Sequence, residues 1–251
     1  MKVTILQTDV RWNDPAENVR QAEQLVNSSA PADLYVLPEM WATGFATDPQ
    51  GIAEDEAASQ ALAWMRATAA RRDCAVSGSL LVATADGIFR NRHYFVTPDD
   101  VVCYDKHHLF TYGHEDRYIT RGDASVVATF RGRRFLLLTC YDLRFPLWAR
   151  YGRVAEYDAI VVVANWPERR QQAWRILTRA RAVENQCYLV GCNRVGDDQF
   201  CHYRGESVVC DAQGDTLVEC PADEVAAMTV TLDFEAQDRL RSRFRVLDDR
   251  D

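Results

Sequence analysis

The sequence predicts an α/β fold, α+β by some schemes, in which sheets are covered by helices. Three observations predict it: apolar runs of strand length bounded by turn signals, helical segments with recognisable caps, and the order in which these follow one another along 251 residues. Residues 2–8 read as the first strand. Asp14 follows as an N-cap with Pro15 at the first helical position and Glu17 three residues on, which opens a helix to about Asn27. Residues 33–37 form a second short, buried strand, and an Ala-rich helix spans 56–72. Strands at 74–82 and 88–97, the latter closed by Pro98-Asp99-Asp100 before a strand at 101–105, have hairpin character.

An irregular segment occupies 107–123. Two strands then flank the turn Arg131-Gly132, and the second, 135–139, ends at Cys140, where the chain turns sharply and opens a short helix. Residues 159–164 follow Asp158 as an uninterrupted apolar run, the pattern of a strand covered on both faces. A helix at 171–184 precedes a strand at 187–192. Further strands lie at 206–210, 216–220 and 226–232, with Gln213-Gly214-Asp215 turning between the first two. A last helix starts near Asp233. No linker, internal repeat or low-complexity tract interrupts the order, so 1–251 is expected to be a single domain.

Charged residues are 26% and hydrophobic residues 47% of the chain, which favours neither disorder nor a membrane class. A net charge of -8 argues against a nucleic-acid partner, since phosphate binding needs a concentrated basic surface. The N-terminal apolar stretch is shorter than a signal-peptide core, and no run approaches the length of a membrane helix. Eight cysteines are scattered without C-x-x-C spacing, and Cys74, Cys187 and Cys192 sit in apolar contexts as small hydrophobes. This points to a reducing, cytoplasmic setting.

Three apolar strands each end near a reactive residue: Glu39 after Val-Leu-Pro, Lys106 after Cys-Tyr-Asp, and Cys140 after Leu-Leu-Leu-Thr. Each has an ordinary reading alone: a capping carboxylate, a solvated strand end, a buried structural thiol. Strand ends are where sites assemble in sheet architectures, and a carboxylate, an ammonium and a thiol together supply what covalent acyl chemistry on an amide needs. A helix N-terminus at Cys140 would lower the thiol pKa. A metal site is disfavoured: His107 and His108 are adjacent and point to opposite faces, and there is no H-E-x-x-H. A nucleotide cofactor is disfavoured too, with no G-x-G-x-x-G or P-loop, so no cofactor is expected.

The segments Leu-Pro-Glu-Met, Tyr-Asp-Lys-His-His-Leu-Phe and Leu-Thr-Cys-Tyr-Asp-Leu-Arg-Phe-Pro resemble the three signature blocks of the nitrilase superfamily of carbon-nitrogen hydrolases. The likeness continues through Val-Ala-Asn-Trp-Pro, Arg-Ala-Arg-Ala-Val-Glu-Asn-Gln, Gly-Cys-Asn-Arg-Val-Gly and Tyr-Arg-Gly-Glu-Ser, and is greatest with the bacterial omega-amidase branch. The resemblance implies a four-layer α-β-β-α sandwich that pairs as a homodimer. It implies Glu39 as general base, Lys106 as charged stabiliser, Cys140 as nucleophile forming a thioester, and Glu115, with Asp116 the alternative, as a supporting carboxylate, with the Tyr141 backbone N–H completing an oxyanion hole.

Asn165 and Trp166 would line the substrate, and Arg169, Arg170 or Arg194 would meet its free carboxylate, Arg144 being assigned instead to structure through neighbouring Asp142. The implied reaction is hydrolysis of 2-oxo dicarboxylate monoamides such as 2-oxoglutaramate and 2-oxosuccinamate. Deaminated glutathione or an N-carbamoyl compound is the alternative substrate, and a non-catalytic binding member of the fold the alternative class. The segment 107–122 has the composition of a lip over such a site.

Overall fold

The apolar run Ala159–Ala164 forms a strand whose alternate side chains serve two different cores. Ala159, Val161 and Val163 face a second sheet, while Ile160, Val162 and Ala164 face a helix, which is why the run carries no polar residue. The computed structural model describes residues 1–153 and 155–249; residues 154, 250 and 251 of the expected domain lie outside the described residues.

In chain order the first half comprises β1 (Lys2–Gln7), α1 (Pro15–Ser28), β2 (Leu34–Val36), β3 (Glu54–Asp55), α2 (Gln60–Arg72), β4 (Ala75–Ala83), β5 (Phe89–Val96) and β6 (Val101–Asp105). The second half opens with β7 (Val127–Phe130), β8 (Arg133–Thr139), α3 (Pro146–Ala149), β9 (Ala159–Ala164), α4 (Gln171–Glu184) and β10 (Tyr188–Asn193). It closes with β11 (Val195–Asp197), β12 (His202–Arg204), β13 (Val208–Cys210), β14 (Thr216–Glu219), β15 (Ala226–Thr231) and α5 (Phe234–Arg243).

The first sheet runs β15-β1-β2-β4-β5-β6, with β3 beside β4, and the second β14-β13-β10-β9-β8-β7. Each has three parallel strands at its centre, β1, β2 and β4 in one and β8, β9 and β10 in the other, with antiparallel neighbours outside them apart from the short β3, which is parallel to β4. The sheets pack face to face through residues such as Val3, Ile5, Val36 and Phe95 against Leu137, Val161 and Val190. Outside the first, α1 and α2 bury Ala22, Val26, Met65 and Ala69; outside the second, α4 buries Trp174 and Ala182. The result is the four-layer α-β-β-α sandwich.

The expected elements recur with shifts that have local causes. Asp14 caps α1 by accepting from the Glu17 N–H at 3.1 Å. The helix expected from 56 begins at Gln60, because Ser59 caps it through the Leu62 N–H at 3.0 Å; the residues before it form β3 and a 3-10 turn, Glu56–Ala58. The strand expected from 206 starts at Val208, since Gly205 and Glu206 both take positive φ. The hairpin β11–β12, which the polar stretch around Asp197 did not suggest, forms a two-stranded sheet of its own.

Candidate active site

The parallel strands β2, β8 and β9 deliver Glu39, Cys140 and Asn165 to one end of the sandwich, and β6 delivers Lys106 to the same place. Pairing of Thr139 with Val163 sets Cys140 close to Asn165, and the Cys140 Sγ lies 3.9 Å from the Asn165 carbonyl oxygen. Lys106 Nζ donates to Glu39 Oε1 at 2.8 Å and to Glu115 Oε2 at 2.9 Å. All three of these side chains are fully buried. Glu115 comes from a 3-10 turn, Glu115–Arg117, in the segment after β6, and also accepts from the Phe110 N–H at 2.6 Å.

A second bridge, which the sequence did not single out, joins the two carboxylates. Asn91 on β5 donates through Nδ2 to Glu39 Oε1 at 2.8 Å and to Glu115 Oε1 at 3.0 Å, and its side-chain Oδ1 accepts from the Ser79 hydroxyl at 2.9 Å. Asn165 completes the cradle around Glu39, its N–H donating to Oε2 at 2.9 Å and its side-chain amide to the Glu39 carbonyl at 2.7 Å.

The charge balance follows from these contacts. Burial alone would push the Lys106 ammonium down, but Glu115 and Glu39 more than reverse that and hold it charged. Burial and the nearby Glu39 raise Glu115, with Lys106 opposing. Cys140 is pushed well above the ordinary thiol range, by burial first and then by the negative charge of nearby Glu39. This corrects the sequence expectation: the turn after β8 is a five-residue 3-10 segment, Cys140–Arg144, too short for its dipoles to outweigh burial and a carboxylate. Cys140 itself has φ of +44°, a left-handed conformation costing about 1–2 kcal/mol that holds its thiol out from the strand end.

The open side of the thiol is a cavity of about 620 Å³. Cys140, Tyr141, Asn165 and Trp166 line it near the sulfur, and Arg144, Arg169 and Arg170 are the cations on its wall. Two expectations are overturned here. Arg194 is 1% exposed and turned away into the protein, donating to the carbonyls of Val195, Val10 and Asp197 and stacking on Tyr203, so it faces no substrate. Arg144, expected to pair with Asp142, lies over the Trp166 ring at 4.8 Å and faces the cavity. Asp142 is engaged elsewhere, by the Tyr104 hydroxyl, the Thr139 N–H and the backbone and ring of His108.

The segment 107–122 contributes Phe110, Tyr112, Gly113 and His114 to the cavity wall. It is tied down by the Thr120 N–H to Phe89, the Gly122 N–H to Lys106, and Arg90 to the carbonyls of Thr120 and Arg121. Among the described residues no group of His, Cys, Asp and Glu is placed to hold a metal ion, and no helix is long and apolar enough to cross a membrane.

Comparison with known proteins gives consistent matches. The model of the carbon-nitrogen hydrolase family covers residues 2–241. The chain is 39% identical to the omega-amidase YafV of Yersinia enterocolitica over 100% of its length and 97% of the relative. It is 31% identical to the 2-oxoglutaramate amidase of Bacillus subtilis over 99% and 98%. Among solved structures, XC1258 from Xanthomonas campestris, a CN-hydrolase superfamily protein with an arsenic adduct in its active site, superposes with a TM-score of 0.94 at 35% identity, covering 100% of this chain and 97% of that one.

Proposed function

The chain belongs to the carbon-nitrogen hydrolase family, and on that premise we propose that it is an omega-amidase. In this reading it converts 2-oxoglutaramate or 2-oxosuccinamate to the corresponding acid and ammonia. The observation that carries the chemistry is the buried Lys106 ammonium held between Glu39 and Glu115 within electrostatic reach of the Cys140 thiol. The omega-amidase YafV and the 2-oxoglutaramate amidase, both matched over nearly their whole length, support the substrate.

Because the thiol is held neutral, attack and deprotonation occur together. Glu39 takes the proton as Cys140 Sγ bonds to the amide carbon, and the oxyanion is met by Lys106 and the Tyr141 N–H. Tyr141 is the second residue of the turn Cys140–Arg144, and the N–H groups of a first helical turn have no acceptor within it, which leaves this one free for the task. Glu39 then passes the proton to the leaving nitrogen, ammonia departs, and a water activated by Glu39 hydrolyses the thioester. Asn91, Asn165 and Glu115 keep Glu39 and Lys106 in register throughout.

We assign the substrate's free carboxylate to Arg144, whose guanidinium lies over the Trp166 ring on the cavity wall. Arg169 and Arg170 line the same cavity, Arg170 with its guanidinium carbon 5.0 Å from the centre of the Phe110 ring. The reading has the protein working without a cofactor, as a homodimer in the cytoplasm; eight unpaired cysteines support a reducing compartment.

Measuring kcat/KM on 2-oxoglutaramate, 2-oxosuccinamate, deaminated glutathione and an N-carbamoyl amino acid tests the substrate. The first two should lead. Turnover of another amide with neither of these touched would remove the omega-amidase reading and leave the hydrolase. Arg144→Leu should raise KM for the dicarboxylate monoamides about 10- to 100-fold, the usual loss of a hydrogen-bonded ion pair.

A further inference from the structure

We propose that the mouth of the cavity is a second subsite, which takes an aromatic or arylalkyl group carried on the amide nitrogen of the substrate. The protein would then also release arylalkylamines from N-substituted monoamides. The inference rests on the reading of Cys140 as the thiol that accepts the acyl group.

Among the described residues, Tyr112 and Phe200 are the two most exposed large apolar side chains, at 82% and 77%, and both line this cavity. They reach it from different elements. Tyr112 sits in the 3-10 turn Thr111–Gly113, and Phe200 at the tip of the β11–β12 hairpin. The tip is a built turn, since the Asp198 carboxylate accepts from the N–H groups of Phe200 at 2.7 Å and Cys201 at 2.8 Å.

Phe110 connects the rim to the reacting atoms. Its ring centroid lies 5.8 Å from that of Tyr112, 5.2 Å from Tyr141 and 6.4 Å from Phe45, whose ring in turn lies 5.4 Å from the Lys106 ammonium. One wall is therefore a row of aromatic rings running from the ammonium to solvent. Glu39, Lys106 and Glu115 are buried, and the cavity lined by Cys140 is its open side, so a leaving amine departs through the mouth, along this row. The cavity, at about 620 Å³, falls in the range of roughly 300–1,000 Å³ that takes drug-sized ligands, more room than a short monoamide fills.

The chemistry is that of the hydrolysis already described. Sulfur bonds to the carbonyl carbon, the carbon–nitrogen bond breaks, the amine leaves with the proton from Glu39, and water releases the acid and restores the thiol.

The test compares 2-oxoglutaramate with N-benzyl-2-oxoglutaramate. Both release 2-oxoglutarate, so one coupled assay reads both. The benzyl amide should match or exceed the parent in kcat/KM. The ratio of the two should fall about tenfold in the Tyr112→Ala/Phe200→Ala double variant, and Tyr112→Phe should retain it, as stacking without the hydroxyl requires. If the parent is hydrolysed and the benzyl amide is not, or the ratio is the same in the double variant, the subsite is refuted while the amidase reading stands. Preference for a benzyl group placed on the acyl chain also refutes it. Hydrolysis of the benzyl amide with an inert parent upholds the subsite and removes the proposed small substrate.

Discussion

Cys140 is held neutral by burial and by Glu39, so thiolate should not accumulate at the pH where a reactive cysteine is usually ionised. Ultraviolet titration of the free enzyme should show no Cys140 thiolate below pH 9, taken as the difference from Cys140→Ala. A step near neutrality would mean that a dipole or Lys106 prevails over Glu39, and the concerted proton transfer would have to be abandoned. Asn91 tests the cradle at the same scale. Asn91→Ala removes one hydrogen bond from Glu39 and one from Glu115, each a bond to a charged group, and should lower kcat about 10- to 100-fold with KM little changed. An unchanged kcat would show that Lys106 orients both carboxylates unaided.

Among the elements, the end of β6 is the one whose placement decides most, because it carries Lys106 and receives the returning segment 107–122. Gly122 packs against it so closely that an added Cβ would lie 2.3 Å from the Asp105 carbonyl oxygen, while its N–H donates to the Lys106 carbonyl. Gly122→Ala must therefore displace either the strand end or the segment bearing Glu115. A loss of about 1–3 kcal/mol in stability is expected, as for other overpacked sites, with a fall in kcat larger than the change in KM. Denaturant unfolding and steady-state kinetics on the same variant check both; a variant as stable and active as the parent would show that this contact does not hold Lys106.

At the scale of the whole molecule, His93 ties the two sheets together. Its ring, on β5, contacts the Leu138 carbonyl of β8 through Nδ1 at 3.1 Å and the Ser77 hydroxyl through Nε2 at 2.7 Å. Burial lowers its pKa from 6.5 to about 3, so the folded protein holds it neutral. Unfolded chains bind that proton first as pH falls, so this contribution is intact above pH 6.5 and is lost on acidification toward pH 3, by about 1.4 kcal/mol per pH unit. Urea unfolding across that window should show the slope, and His93→Gln should flatten it.

Much of the architecture was legible because apolar periodicity reports burial: β9 reads as a strand with two covered faces, and α1 announces itself by Asp14 and Pro15. Glu39, Lys106 and Cys140 were legible as residues at strand ends within signature segments, Glu115 only through the family resemblance, and the structure brings all four together. Asn91 was not, because a polar residue in a strand gives no sign of what it faces. Arg144 and Arg194 were misplaced for a similar reason: charge along a chain does not reveal whether a guanidinium meets a cavity or a set of buried carbonyls.

If Cys140 carries an acyl thioester during amide hydrolysis, mass spectrometry of enzyme quenched in acid during turnover of 2-oxoglutaramate should capture it. An acyl adduct is expected on the peptide carrying Cys140 and absent from Cys140→Ala, which should remain folded and release no ammonia. Ammonia release by that variant at the parent's rate would contradict it.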